Sequence, residues 1–128
     1  MTAIAPLNVY AYTASAHLFI HDEEAADFLQ SQFSNDLRPM EDGNCTYGLW
    51  LSAKGRVLGD SWLLCEGENQ YRLLSSSTPQ QVIQSTLEQH IVADDVEIDV
   101  QPPASMLCVS GSEADACLSS LLGMSMPS

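Results

Sequence analysis

The chain has 128 residues, 4 Lys and Arg against 17 Asp and Glu, a formal charge of -13 and a pI near 4.1. That balance excludes non-specific binding of DNA or RNA and docking on anionic lipid through a basic surface, so neither nucleic acid nor a membrane is expected as a partner. Hydrophobic residues make up 45%, and a chain of this length buries roughly two thirds of its unfolded surface, enough for a core.

Residues 1–37 contain no Lys or Arg. They carry neither a secretory n-region nor an Arg-rich presequence, and no apolar run approaches the ~20 residues a bilayer span requires. Cys45, Cys65, Cys108 and Cys117 form no C-x-x-C or other metal spacing. A cytoplasmic protein with four reduced, buried thiols and no bound metal is expected.

Leu18-Phe19-Ile20 reads as a short buried strand. Asp22 follows as an N-cap, with Glu23 and Glu24 where the helix dipole favours carboxylates. A helix over residues 23–33 turns Ala25, Phe28, Leu29 and Phe33 to one core, and Asn35-Asp36 near Pro39 stop it. Residues 46–51 and 57–65 are strand-like runs joined by Ser52-Ala53-Lys54-Gly55-Arg56, a hairpin signal with Gly55 free to take a positive φ. Glu66-Gly67-Glu68-Asn69 turns into a strand at 70–75. Thr78-Pro79-Gln80-Gln81 then combines an N-cap, a Pro at the first helical position and a capping-box Gln. Val82, Ile83, Thr86, Leu87, His90 and Ile91 recur at helical spacing as the buried stripe. Residues 96–100 alternate apolar and acidic side chains like a half-exposed strand. Residues 106–109 form a further strand, and Ser112-Glu113-Ala114-Asp115 opens a helix running to Gly123.

Residues 18–31 align without gaps on residues 107–120, an offset of 89 from Leu18 to Leu107, with identities at Leu18/Leu107, Glu24/Glu113, Ala25/Ala114, Leu29/Leu118 and Ser31/Ser120. Both windows read as a strand entering an amphipathic helix, so the chain is expected to hold a duplicated strand-helix-hairpin unit. The fold class is α+β, mainly antiparallel sheet with flanking helices. Residues 1–16 are read as an N-terminal segment, 17–101 as the first unit and 104–128 as the start of a truncated second.

Two features invite chemistry. Lys54-Gly55-Arg56 holds two of the four basic residues at a hairpin tip, where Arg can grip a carboxylate or phosphate, although a solvated turn accounts for it as well. Asp60 interrupts an apolar strand. Alternation puts Leu58, Asp60, Trp62 and Leu64 on one face, and the opposite set is less bulky, so the Asp60 face is expected to meet the core or a ligand. A carboxylate beside Trp62 can accept from an N–H of a heteroaromatic ligand. His17, His21 and His90 share no metal spacing and are read as structural or surface. No nucleophile triad or glycine-rich phosphate loop is present.

At His17-Leu18-Phe19-Ile20, Asp27-Phe28-Leu29-Gln30-Ser31-Gln32-Phe33-Ser34-Asn35-Asp36 and Lys54-Gly55-Arg56-Val57-Leu58-Gly59-Asp60 the sequence resembles the YgfZ-type folate-binding family, itself related to the aminomethyltransferase, or T-protein, of glycine cleavage. The family pattern F-L-Q-G-Q-x-T-N-D-V precedes L-x-P-K-G-R by roughly twenty residues. Here Ser31 replaces the glycine, Ser34 the threonine, and Lys54-Gly55-Arg56 is kept. The resemblance implies an aminomethyltransferase folate-binding domain with tetrahydrofolate or a derivative as cofactor. It further implies a role in iron–sulfur cluster assembly or repair that indirectly supports tRNA modification, with iron–sulfur client enzymes as partners. Taken with the chemistry of the residues themselves, it suggests Asp60, Lys54, Arg56, Asn35 and Trp62 as folate-binding residues, with Asp60 the catalytic candidate. Asp60 matches the second Asp of the T-protein G-G-x-x-D-D run, whose first is Gly59 here. The family's K-G-C-x-x-G-Q-E signature is absent, so cysteine-dependent function does not carry over. One-carbon transfer from an aminomethyl donor is the alternative enzyme reading. A non-catalytic module pairing with a second copy through the incomplete unit is the other.

Overall fold

Period-two alternation of apolar and polar residues builds most of the fold. The computed structural model describes residues 7–38 and 40–123. Its elements are β1 (Asn8–Thr13), β2 (Ala16–His21), α1 (Ala25–Gln32), β3 (Cys45–Leu51), β4 (Val57–Gly67), β5 (Gln70–Ser75), α2 (Gln80–His90), β6 (Glu97–Val100), β7 (Ser105–Ser110) and α3 (Ala114–Leu122). Ala14–Ala104 make one compact unit, and β1, β7 and α3 belong to the other. The first unit holds a five-stranded sheet in the order β3-β4-β5-β2-β6, with every neighbouring pair antiparallel.

One face of that sheet is closed by α1 and α2. Leu18 and Ile20 of β2, Leu63 of β4 and Leu73 of β5 are fully buried there with Leu29 of α1 and Leu87 of α2. Each such side chain stabilises the fold by about 1.5–3 kcal/mol through lost apolar exposure. Phe33, just past α1, packs against Trp50 of β3 at 4.8 Å between ring centroids, their planes tilted by 48°. Gly48 makes room for it, since a Cβ there would sit 2.5 Å from Phe33 Cζ.

Both helix starts differ from the expected caps. Asp22 takes φ +94° and its Oδ1 accepts from the Glu23 backbone N–H, while α1 begins at Ala25 with Glu24 in the cap position. In α2, Pro79 holds the cap position and the Thr78 hydroxyl is turned elsewhere. The α2 stripe is also narrower than its spacing suggests. Ile83 and Leu87 are buried, whereas Val82 and His90 are exposed, Thr86 is half-buried and Ile91 lies past the helix end. Of the four thiols only Cys65 is buried, and Cys45 is exposed.

The 89-residue echo is written into the backbone. Asp22 at φ +94° corresponds to Gly111 at φ +114°, and the Glu24 and Glu113 cap positions have φ, ψ of -107°, 12° and -105°, 11°. The Ala25 N–H donates to the Asp22 carbonyl at 3.0 Å and the Ala114 N–H to that of Gly111 at 3.2 Å. In the second unit β1, unrecognised in the sequence, pairs antiparallel with β7 from Asn8 opposite Ser110 to Thr13 opposite Ser105.

Candidate functional site

Among the described residues, no element of the first unit covers the sheet face opposite its helices. Register places Tyr47, Trp62, Leu74 and His17 in one row across β3, β4, β5 and β2, and Leu49 beside Asp60. Asp60 and Trp62 therefore do not face the core: Ser61, Leu63 and Cys65 do, and the Trp62 side chain is 45% exposed. Of the two outcomes expected for the Asp60 face, core or ligand, the core is excluded, because the neighbouring strand fills the inner layer. Trp50 of β3 lies over β4, and its indole N–H donates to the buried Ser61 Oγ at 2.9 Å.

Asp60 is half-buried and rigidly held. The Tyr47 hydroxyl donates to its Oδ2. The Thr78 hydroxyl donates to its Oδ1 at 2.9 Å and accepts from the Asp60 backbone N–H at 3.1 Å. Thr78 is itself fixed, its N–H donating to Ser75 Oγ at 3.0 Å and its carbonyl accepting from the Ser15 hydroxyl at 2.6 Å. Two of the roughly four lone-pair sites of the carboxylate are thus engaged, and two remain for an outside donor. The bond to Asp60 raises the Tyr47 hydroxyl above its ordinary pKa, with partial desolvation adding to the effect. Tyr47 and Trp62 pack at 5.3 Å with their planes 59° apart, presenting an aromatic wall beside the carboxylate.

Lys54 and Arg56 occupy the exposed tip of the β3–β4 hairpin. Gly55 has φ +80°, and Ser52 Oγ accepts from the Lys54 and Arg56 N–H groups, which fixes the loop. The other two basic residues are in ion pairs, Arg38 with Asp36 and Arg72 with Glu66. No carboxylate among the described residues pairs with Lys54 or Arg56. Asn35 is apart from this group: its amide donates to Thr46 Oγ1 at 2.9 Å and the Tyr47 carbonyl at 3.1 Å, tying the loop after α1 to β3. Asp36 is held at a pKa of about 2 by its side-chain and backbone bonds from Arg38. The hollows beside α1 and the β4–β5 turn are lined by other residues than Asp60. Asp60 stands on an open face, neither fully solvated nor enclosed.

Sequence reasoning missed Tyr47 and Thr78. Thr78 was legible only as a helix cap, and its partner lies eighteen residues away on β4.

The GCVT N-terminal domain family matches residues 10–127. The chain belongs to that family. Curated relatives of this GCVT N-terminal domain include the aminomethyltransferase of Alcanivorax borkumensis, 28% identical over 98 residues that cover 77% of this chain and 27% of that protein. The aminomethyltransferase of Nitrosococcus oceani is 25% identical over 95 residues, covering 73% of this chain and 26% of that protein. The chain thus spans about a quarter of the length of these relatives. The crystal structure of the glycine cleavage system aminomethyltransferase T from Bartonella henselae superimposes with a TM-score of 0.69 at 17% identity, over 92% of this chain and 33% of that one. That likeness gives the GCVT domain its aminomethyltransferase-type α+β fold. The relation reaches the T-protein side of the resemblance, and the YgfZ assignment is finer than these matches. No helix among the described residues is long and apolar enough to cross a membrane.

Proposed function

We propose that this GCVT domain binds tetrahydrofolate or a derivative on the open face of its five-stranded sheet. The observation that carries the reading is Asp60, clamped by Tyr47 and Thr78 with acceptor capacity left over, next to the exposed Trp62 ring. A pterin fits such residues: its ring N–H groups need a fixed acceptor and its flat face an aromatic wall. Lys54 and Arg56 lie four to six residues from Asp60 along the hairpin, roughly 13–20 Å at strand rise. An elongated ligand with its ring at Asp60 directs a carboxylate tail towards these two cations. Bound folate supplies the nitrogen that carries a one-carbon unit.

Within this reading the role is of the YgfZ type, in iron–sulfur cluster assembly or repair with indirect support of tRNA modification. It is favoured by the retained Lys54-Gly55-Arg56 and by Gly59, where the T-protein pattern has the first Asp of its pair. A Cβ at Gly59 would meet Thr78 Cγ2 at 2.5 Å, so a carboxylate there disturbs the clamp on Asp60. Iron–sulfur client enzymes are then the partners. Exposed Val9, Tyr10 and Leu107 in the β1–β7 pair favour association with another protein segment, a second copy being the simplest. Aminomethyl transfer is the alternative, favoured by the names of the relatives.

Calorimetric titration with 5-formyltetrahydrofolate tests the reading. Weak binding is expected because an open face covers little of the ligand, with a loss of about tenfold or more in Asp60→Ala, as for a charged hydrogen bond, and a smaller loss in Lys54→Ala. No heat from the wild type at millimolar ligand refutes folate binding by this chain. Formation of methylenetetrahydrofolate from an aminomethyl donor moves the assignment to the transferase.

A further inference from the structure

Away from Asp60, the pairing of β2 with β6 assembles a second group of side chains. His21 lies opposite Glu97, and Asp99 lies two residues on, opposite Phe19, so all three project from the same face. His21 Nε2 is 2.7 Å from Asp99 Oδ2 and 3.9 Å from Glu97 Oε2, and the three donor atoms lie within 4.8 Å of one another. We propose that His21, Glu97 and Asp99 form a binding site for a divalent transition-metal ion such as Zn²⁺, independent of the folate reading.

The distances suit such an ion. Two ligands each about 2.1 Å from a tetrahedral Zn²⁺ stand roughly 3.4 Å apart, a value bracketed by the 2.7 and 3.9 Å separations. Adjustments of about an ångström suffice. Both carboxylate side chains are more than half exposed and free to make them. The imidazole is braced by stacking on Phe19 at 5.2 Å between ring centroids. Two carboxylates and one imidazole are a donor set for zinc and related ions, with water completing the coordination.

Charge points the same way. The hollow adjoining His21 is also lined by Asp22, Glu23 and Glu68, three further carboxylates, and by no cation. Arg72, whose guanidinium lies 5.5 Å from the Phe19 ring centroid, is already bound to Glu66 through Nε and Nη2. A dication there relieves repulsion that no described Lys or Arg offsets. A carboxylate only accepts, so without metal Nε2 carries the proton it shares with Asp99. On metal binding that proton leaves Nε2 for Nδ1 or solvent, and the freed lone pair ligates.

Titration of the full chain with ZnCl₂, followed by calorimetry and by metal content after dialysis, tests the site. One Zn²⁺ per chain is expected. His21→Gln and Asp99→Asn should each weaken binding by about tenfold or more, since even losing a residue that supports a ligand costs that much. Unchanged far-ultraviolet circular dichroism will show that the variants fold. Absence of binding to the wild type, equal binding in the variants, or a thiolate charge-transfer band on Co²⁺ substitution, which would put the ion on a cysteine, overturns the proposal.

Discussion

Position 59 has no side chain because position 78 needs the space. A Cβ on Gly59 would lie 2.5 Å from Thr78 Cγ2 and 3.0 Å from its Oγ1. Thr78 cannot give way cheaply, since it is 8% exposed and its N–H and carbonyl are both hydrogen-bonded. Gly59→Ala is therefore expected to cost about 1–3 kcal/mol, in the range of overpacking. Thr78→Ser, which removes Cγ2 and keeps the hydroxyl that holds Asp60, should recover much of that loss in the double variant. Urea denaturation of the four proteins of this cycle measures the coupling. Additive effects would mean that the two positions do not meet. Asp60 was visible in the sequence as an acid inside an apolar strand, but the reason it is tolerated was not. Its partners Tyr47 and Thr78 come from elements thirteen residues before it and eighteen after it.

Strand β4 shows how an element can be recognised while its orientation stays undecided. The alternation of residues 57–65 was plain, yet bulk left two outcomes for the Asp60 face, core or ligand, and the core is excluded because Trp50 from β3 supplies volume over Ser61 that β4 itself lacks. Stability decides between the faces. Leu63→Ala, at a fully buried site, is expected to cost about 2–5 kcal/mol. Leu58→Ala on the open face should change stability by about 0.5 kcal/mol or less. Thermal or urea unfolding of the two variants reads the difference directly, and the reverse order would put Asp60 on the core side. Helix positions were equally legible from spacing, but not the caps. Thr78 carries every local feature of a cap and serves Asp60 instead, since a charged acceptor forms the stronger bond.

Over the whole molecule, a charge of -13 means self-repulsion in the folded state. The described ion pairs of Arg38 and Arg72 with carboxylates are local, and surface pairs of this kind contribute only about 0–1 kcal/mol. Raising salt from about 0.01 M to about 0.15 M shortens the screening length from about 30 to about 8 Å. Screening of repulsion should then outweigh the loss of those pairs, and the urea midpoint should rise. A midpoint that falls with salt would mean that the ion pairs dominate.

The sequence by itself determined the α+β class, nine of the ten elements to within a few residues, the Gly55 hairpin and the echo between residues 18–31 and 107–120. Those are local properties: periodicity, turn chemistry and a repeat are written in consecutive residues. Even there, β1 escaped notice, because its six residues are exposed or half-exposed and carry no buried alternation. Tertiary structure alone decided which face of the sheet meets the helices, which hydroxyls hold Asp60, and that His21 stands beside Glu97 and Asp99. Each of these depends on strand register between residues far apart in the chain. A search of linear spacing for metal or catalytic patterns passes over them, whereas pairing β2 with β6 brings donors 76 and 78 residues apart onto one face.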